Sequence, residues 1–394
     1  MIWERLDLQT PLRDFWLLDP QVTFLNHGSF GACPQAVLAA QDRWRSQLER
    51  EPLRFFGREW EPLIDNARSQ LGEFAGADVE DVVFVPNATT GVNCVLRSLT
   101  FQPEDELLTT NHEYNACRNA LNFVANRSGA RIVIADIPFP LESPQEALEA
   151  VLEKVTAKTR LLLIDHVTSQ TGLIMPVEQL IAQLQGRGIE VLVDGAHAPG
   201  MIPLNLGKIG ADYYTGNCHK WLCAPKGAAF LYVQRQQQAK IRPLTISHGA
   251  NSPRTDKSRF QLEFDWMGTD DPTAYMCIPV AIAFLGSLLP NGWQELRTHN
   301  HQLALQARKI LCETLDISPP SPEEMIGSMA SIPLPRRFEH WDYLSLHDEL
   351  FDKFGIQVQV VPWQTPAKLL IRISAQIYNQ LQEYEYLAET LQKL

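Results

Sequence analysis

Three short stretches of this 394-residue chain combine residue types that can do chemistry together. Thr215–Trp221 (TGNCHKW) sets Lys220 among small, polar and aromatic neighbours, ahead of a ProLysGly turn. A lysine partly withdrawn from water loses proton affinity, and its free amine can then condense with an aldehyde. Lys220 follows Asp194 by 26 residues, and Asp194 ends the apolar run of Glu190–His197 (EVLVDGAH), with His197 three residues on. A carboxylate at the carboxyl end of a strand in an open α/β sheet faces the ligand crevice. There it can hold a metal, a ribose hydroxyl or a protonated ring nitrogen. Pro86–Gly91 (PNATTG) is a turn of small and hydroxyl residues between a strand-like run and a helical pattern. Amides at such a helix start attract a phosphate. Each stretch also has a plainer reading, since most lysines are solvated, Asp caps turns and Thr caps helices.

Residues so far apart need a scaffold that gathers them. Strand-like runs at 81–85, 106–109, 131–135, 161–167, 191–193 and 230–233 alternate with helical patterns up to about residue 235. The helices are expected over 116–126, 144–155 (Ser143 as cap, Pro at the first turn) and 177–187. This alternation predicts βαβ units around a mainly parallel sheet between helices, an α/β fold. Beyond a polar segment at 248–258, the pattern changes to helices at 279–289, 293–315, 341–354 and 381–391 with short strands at 328–333, 357–361 and 369–374. That is the pattern of a smaller α+β domain. The expected organisation is an N-terminal arm (1–20), a large domain (21–275) and a small C-terminal domain (276–394).

Composition narrows the partners. The net charge is −12 with no run of Lys or Arg, which argues against nucleic acid or an anionic membrane surface. No apolar run approaches the roughly 20 residues of a membrane span. The opening MIWERLDLQTPLRDFW lacks the pattern of a secretory signal. Seven cysteines are scattered without CxxC spacing, which predicts neither a disulfide framework nor a zinc site. A cytoplasmic, metal-free protein is expected.

A Schiff-base lysine, an acid for a ring nitrogen and a phosphate cradle are together what pyridoxal 5'-phosphate (PLP) requires. At this point the chain resembles PLP enzymes of fold type I, the class V aminotransferase family, in its isopenicillin N epimerase-like branch. The resemblance runs from about residue 20 to 394. It rests on LNHGSFG (25–31), NATTG (87–91), NHEYN (111–115), DHVTS (165–169), DGAH (194–197), HK (219–220), WMGTDDP (266–272) and IRISAQIYN (371–379).

The resemblance implies a large domain with a seven-stranded-type sheet, and roles for particular residues. Lys220 would form the Schiff base, Asp194 would face the ring nitrogen and His197 the ring 3-oxygen. Ala88, Thr89, Asn217 and His219 would surround the phosphate, and Thr269 would reach the phosphate of a neighbouring protomer, which implies a homodimer with shared active sites. His112 or Tyr114 would stack on the ring. Ser169 would lie near the cofactor oxygen and the substrate carboxylate. Arg372 would bind that carboxylate, since its fork suits a bidentate contact, and Gly28 and Ser29 would touch the substrate. His27, Phe30, Trp363 and Tyr378 are candidates for shaping the side-chain pocket.

One departure separates the branches. The segment 355–372, where cysteine desulfurases carry a loop cysteine, has none here, so a thiolate that accepts sulfur is not expected. The expected activity is epimerisation or racemisation at the α-carbon of an amino acid. Cysteine or cystine C–S β-elimination and transamination are the alternatives, because all begin at the α-proton. A nucleotide-dependent oxidoreductase would need a GxGxxG fingerprint that is absent. A catalytically inactive PLP-fold binding protein is the remaining reading, and the joint presence of Lys220, Asp194 and Arg372 argues against it.

Overall fold

The computed structural model describes residues 11–363 and 368–394. The first ten residues of the expected arm, and residues 364–367 of the cysteine-free segment, lie outside the described residues. Seven strands form one sheet: β1 (Val82–Val85), β2 (Glu106–Thr110), β3 (Arg131–Ala135), β4 (Thr159–Asp165), β5 (Glu190–Asp194), β6 (Tyr213–Asn217) and β7 (Ala229–Val233). Their order is β1-β7-β6-β5-β4-β2-β3. Only β7 runs antiparallel to its neighbours, and every other pair is parallel. Helices α1 (Gln35–Arg50), α2 (Trp60–Ala75), α3 (Ala88–Ser98), α4 (Asn115–Ser128), α5 (Pro144–Leu152), α6 (Val177–Gln185) and α7 (Ile278–Gly286) accompany the sheet.

Strand side chains alternate between two faces, and both faces are buried. Val83, Leu107, Leu161, Leu163, Leu192 and Leu231 share one core with Val92 and Val95 of α3 and Leu121 and Val124 of α4. Phe84, Leu108, Leu162, Ile164, Val191 and Val193 join the other, with Leu71 of α2, Val151 of α5, Leu180 of α6 and Phe284 of α7. A truncation such as Leu192→Ala would cost about 2–5 kcal/mol, because so closely packed a site relaxes little.

The C-terminal part has its own core. Helices α8 (Gly292–Leu315), α9 (Tyr343–Phe354) and α10 (Leu381–Lys393) pack with a three-stranded antiparallel sheet, β8 (Met329–Pro333), β9 (Gln359–Trp363) and β10 (Lys368–Ser374), in the order β9-β10-β8. Thr23–Phe24 pairs in parallel with Ile356–Gln357 and so lays the chain around Asn26–Ser29 against this sheet. Among the described residues no helix is long and apolar enough to cross a membrane.

Two features depart from the sequence reading. Tyr213–Asn217 is a strand that is not among the expected runs, so the Thr215–Trp221 stretch begins inside the sheet. The long helices α1 and α2 were not anticipated before residue 81.

Candidate active site

The parallel strands deliver their carboxyl ends to one edge of the sheet. Val85, Thr110, Asp165, Asp194 and Asn217 all end there, and Asp165 and Asp194 are direct partners across β4 and β5. Past β1, Asn87 caps α3, its side chain accepting from the Thr90 amide at 2.8 Å and the Thr90 hydroxyl at 3.0 Å. Ala88 is buried and its amide donates to Asn217 Oδ1 at 2.8 Å, which ties the helix start to the end of β6. That amide is therefore already engaged, while Thr89 stays partly accessible. Gly91 lets α3 lie this close: a Cβ there would stand 2.2 Å from Thr215 Oγ1.

Lys220 follows β6 by three residues and is partly accessible. Its Nζ lies 3.0 Å from His197 Nε2, and Trp221 Nε1 donates a long bond, 3.4 Å, to His197 Nδ1. The indole nitrogen can only donate, so beside a neutral Lys220 amine the imidazole carries its proton on Nε2, whereas the ammonium form of Lys220 donates to Nε2 instead. Burial and the nearby Lys220 charge hold the imidazole well below its ordinary range. Burial, aided by the Arg372 charge, pushes the Lys220 amine down to about 8. The lysine backbone is fixed as well. His27 meets the Lys220 carbonyl oxygen at 3.1 Å through Nε2 and the Tyr378 hydroxyl at 2.7 Å through Nδ1. His27 and Tyr378 thus act on the lysine's backbone.

Asp194 is 1% exposed. Its Oδ1 accepts from the Ala196 amide at 2.9 Å and its Oδ2 from the Cys117 thiol at 3.0 Å. No described cation lies within ion-pair distance of it, and burial raises its proton affinity. Arg372, on β10, is 3% exposed and equally unmatched: it has neutral partners and no carboxylate among the described residues. Its Nη2 donates to Ser29 Oγ at 2.9 Å and Asn26 Oδ1 at 3.1 Å, its Nη1 donates to the Ser169 carbonyl, and its Nε has no partner. Burial pushes its guanidinium down to about 10. Among the described residues no acid pairs with Arg372.

The other expected residues divide. Ser29 and Ser169 join Arg372. The Gly28 amide donates to Ser374 Oγ at 3.0 Å, and a Cβ on Gly28 would stand 2.4 Å from Met329 Sδ, so this position is a close backbone approach. His219 Nδ1 faces the Ala228 carbonyl at 3.0 Å, which leaves Nε2 as the outward nitrogen. His112 is fully buried, with Nδ1 at 2.7 Å from Thr171 Oγ1, Nε2 at 3.1 Å from the Ile137 carbonyl, and Trp363 edge-on at 4.6 Å. Tyr114, at the start of α4, is 43% exposed and keeps a ring face available. Phe30 is 75% exposed. Thr269 lies apart, in a cleft of about 330 Å³ with Trp60, Pro86, Thr90 and Trp266, which neither Lys220, Asp194 nor Arg372 lines. Sequence reasoning gave no role to Asn26, Cys117, Glu113 or Asp165. All but Cys117 lie inside the quoted motifs, but only the fold shows that the last three meet Asp194.

These residues fit PLP. Lys220 offers an amine of lowered proton affinity, Asp194 a buried carboxylate lacking a cation, the start of α3 a place for phosphate, and Arg372 an unmatched charge for the substrate. The class-V aminotransferase model matches residues 30–387. An isopenicillin N epimerase of Amycolatopsis lactamdurans is 35% identical over 96% of both chains. A probable L-cysteine desulfhydrase of Arabidopsis thaliana is 30% identical, covering 95% of this chain and 83% of that one. The solved structure of the cystine C–S lyase C-DES with its product cysteine persulfide has the same fold, with a TM-score of 0.79 at 21% identity over 95% of this chain and 98% of that one. The chain therefore belongs to the class-V aminotransferase family and is a PLP-dependent enzyme of fold type I.

Proposed function

We propose that the enzyme acts at the α-carbon of an amino acid as an epimerase, with Lys220 as the residue that removes the α-proton. The observation that carries the amino-acid substrate is Arg372, a buried guanidinium with no acid of its own, close enough to depress Lys220. A substrate carboxylate completes its hydrogen bonding, and Ser29 and Asn26 hold the fork in place. When bound, PLP supplies the aldehyde that Lys220 condenses with and an electron sink for the pair left at the α-carbon. Asp194 would keep a proton on the ring nitrogen, and His197, whose Nε2 lies beside the Lys220 amine, would face the ring oxygen. Tyr114 would offer the stacking ring, and His219, Asn217 and Thr89 would hold the phosphate. The Lys220 amine, neutral above about pH 8, is a base of the strength that α-proton removal requires.

Two epimerases at 35% and 33% identity support the epimerase reading. Desulfhydrases at 30% favour a second reading, β-elimination of cysteine, which shares the first proton transfer. One experiment separates them: incubation with amino acids in deuterated water. Deuterium at the α-carbon with inversion is expected. Pyruvate with sulfide establishes elimination instead, and a keto acid formed only with a second substrate establishes transamination. Borohydride should fix the cofactor to Lys220, and Lys220→Ala should be colourless and inert. A Lys220→Ala protein that still exchanges the α-proton would end this assignment.

We further propose a homodimer in which Thr269 serves the neighbouring protomer's phosphate. Its cleft is apolar, lined by Phe56, Trp60, Phe264 and Trp266, and Leu244 and Ile246 beside it are 40% and 58% exposed. Such a surface suits a second copy of the chain.

A further inference from the structure

Behind Asp194 lies a cluster that the reaction so far leaves unused. Glu113, at 5% exposed, follows β2, while Cys117 sits one turn into α4, fully buried. Atoms of Glu113, Cys117 and Asp194 all lie within 4.8 Å of one another. Asp165, 3% exposed, is the ladder partner of Asp194. Three buried carboxyl groups thus share one region at the sheet edge. Two of their oxygens, Glu113 Oε1 and Asp165 Oδ2, have no hydrogen-bond donor. An ionised carboxylate is acceptor-only, and leaving such an oxygen buried and bare is penalised by desolvation. A carboxylic acid carries its own donor and does not incur that cost in full. Like charges so close cannot all be ionised.

We propose that Glu113 is protonated in the resting enzyme and, held neutral behind Asp194, lets that carboxylate stay ionised toward the cofactor ring. Glu113 is a positioning residue: it touches neither substrate nor cofactor and acts through Asp194. The division follows from the donors. Asp194 has two close ones, the Ala196 amide at 2.9 Å and the Cys117 thiol at 3.0 Å, whereas Glu113 has the Thr109 hydroxyl, at 3.2 Å to Oε2, and a weaker contact from the adjacent Tyr114 amide that leaves Oε1 bare. The charged and titratable groups facing the cluster are Arg118 of α4, Asp165 of β4, Asp194 of β5, Tyr214 of β6 and Lys220 beyond it. The half-buried Arg118 is a cation that acts on Glu113 and Asp165, and its guanidinium donates to the Thr110 carbonyl. Burial first, then the Asp194 charge, raises Glu113 from its ordinary 4.5 to about 8.

The inference rests on Asp194 as the ring-nitrogen partner, and the test keeps the two apart. In the cofactor-free protein, the folded chain holds a proton on Glu113 that the unfolded chain releases above 4.5. This contribution to stability is whole below that value and is lost as pH rises through about 8. Glu113→Gln, a neutral isostere, suffers no such loss. The thermal midpoint of the wild type should fall by several degrees relative to the variant across that window, with a constant gap above it. Thr109→Val, which removes the donor that favours ionisation, should carry the window to higher pH. This second variant decides the matter where Glu113→Gln does not fold. Parallel pH profiles for wild type and Glu113→Gln, or an unmoved window in Thr109→Val, overturn the proposal. In the loaded enzyme, the ring-nitrogen 15N resonance should show a step near pH 8 that Glu113→Gln lacks. An identical titration in both proteins also overturns it. If the ring nitrogen stays protonated in Asp194→Asn, it is the reading of Asp194 that fails, and the cofactor-free profiles still judge Glu113.

Discussion

At the residue scale, the site is made of charges denied their usual partners. Lys220 is pushed down to about 8 by burial first and by Arg372 second, so its neutral, nucleophilic fraction grows through that pH. The rate at which cofactor-free enzyme takes up PLP should rise with pH and level off above about 8, followed by stopped-flow absorbance. Arg372→Gln removes the second cause, so the midpoint should move to higher pH; an unmoved midpoint would show that the two groups are uncoupled. Arg372→Lys keeps the charge and loses the fork. It should cost about 1.5–3 kcal/mol in carboxylate binding, roughly 10- to 150-fold in KM, while the affinity for PLP is retained. Lys220, Asp194 and His197 stood out by residue type and spacing, whereas Arg372 was singled out through the family resemblance. Glu113, Cys117 and Asp165 did not stand out, since a carboxylate in a sequence gives no sign of being buried beside another. Only the ladder pairing of β4 with β5 and the first turn of α4 reveal that proximity. The choice between His112 and Tyr114 was similarly closed to the sequence, because it depends on which ring keeps an exposed face.

At the element scale, the sheet edge and the helix starts do the positioning. Asn87 caps α3 through the Thr90 amide, and the same turn is tied to β6 by Ala88 and Asn217. Asn87→Ala should cost about 1 kcal/mol in denaturation and also weaken PLP binding, because the turn that meets the phosphate frays. Asn87→Ser should restore most of both, as a serine hydroxyl can accept from the same amide. Equal losses in Ala and Ser would mean that the cap is not what holds the turn. Most of the parallel strands were legible because they carry short apolar runs, as burial on both faces requires. Tyr213–Asn217 escaped notice for a physical reason. Its Thr215, Gly216 and Asn217 are small and polar, and they are buried because Thr215 donates to the Phe230 carbonyl and Gly216 packs beside the Phe230 ring. Propensity carries no sign of those tertiary contacts.

At the scale of the whole molecule, Thr269 poses the question that a single chain leaves standing. It is exposed, and its cleft is not lined by Lys220, Asp194 or Arg372. The start of α3 is nevertheless close by, since Pro86 and Thr90 line the same cleft. A second chain packed over the aromatic walls would bring its own Thr269 to the same α3 start, so the phosphate there could take its contact from either chain. Mixing two defective chains distinguishes the two cases. One carries Lys220→Ala and the other Thr269→Val, which alone should weaken PLP binding through loss of one hydroxyl. If Thr269 serves the partner, a mixed dimer gathers both defects in one site and leaves the other intact, so PLP affinity at the surviving site returns to the wild-type value. If Thr269 serves its own chain, every site with a lysine also carries the valine, and affinity stays at the level of the Thr269→Val parent. Sedimentation of the unmixed protein supplies the prior condition, because a monomer at assay concentration would leave the apolar cleft without the partner proposed for it.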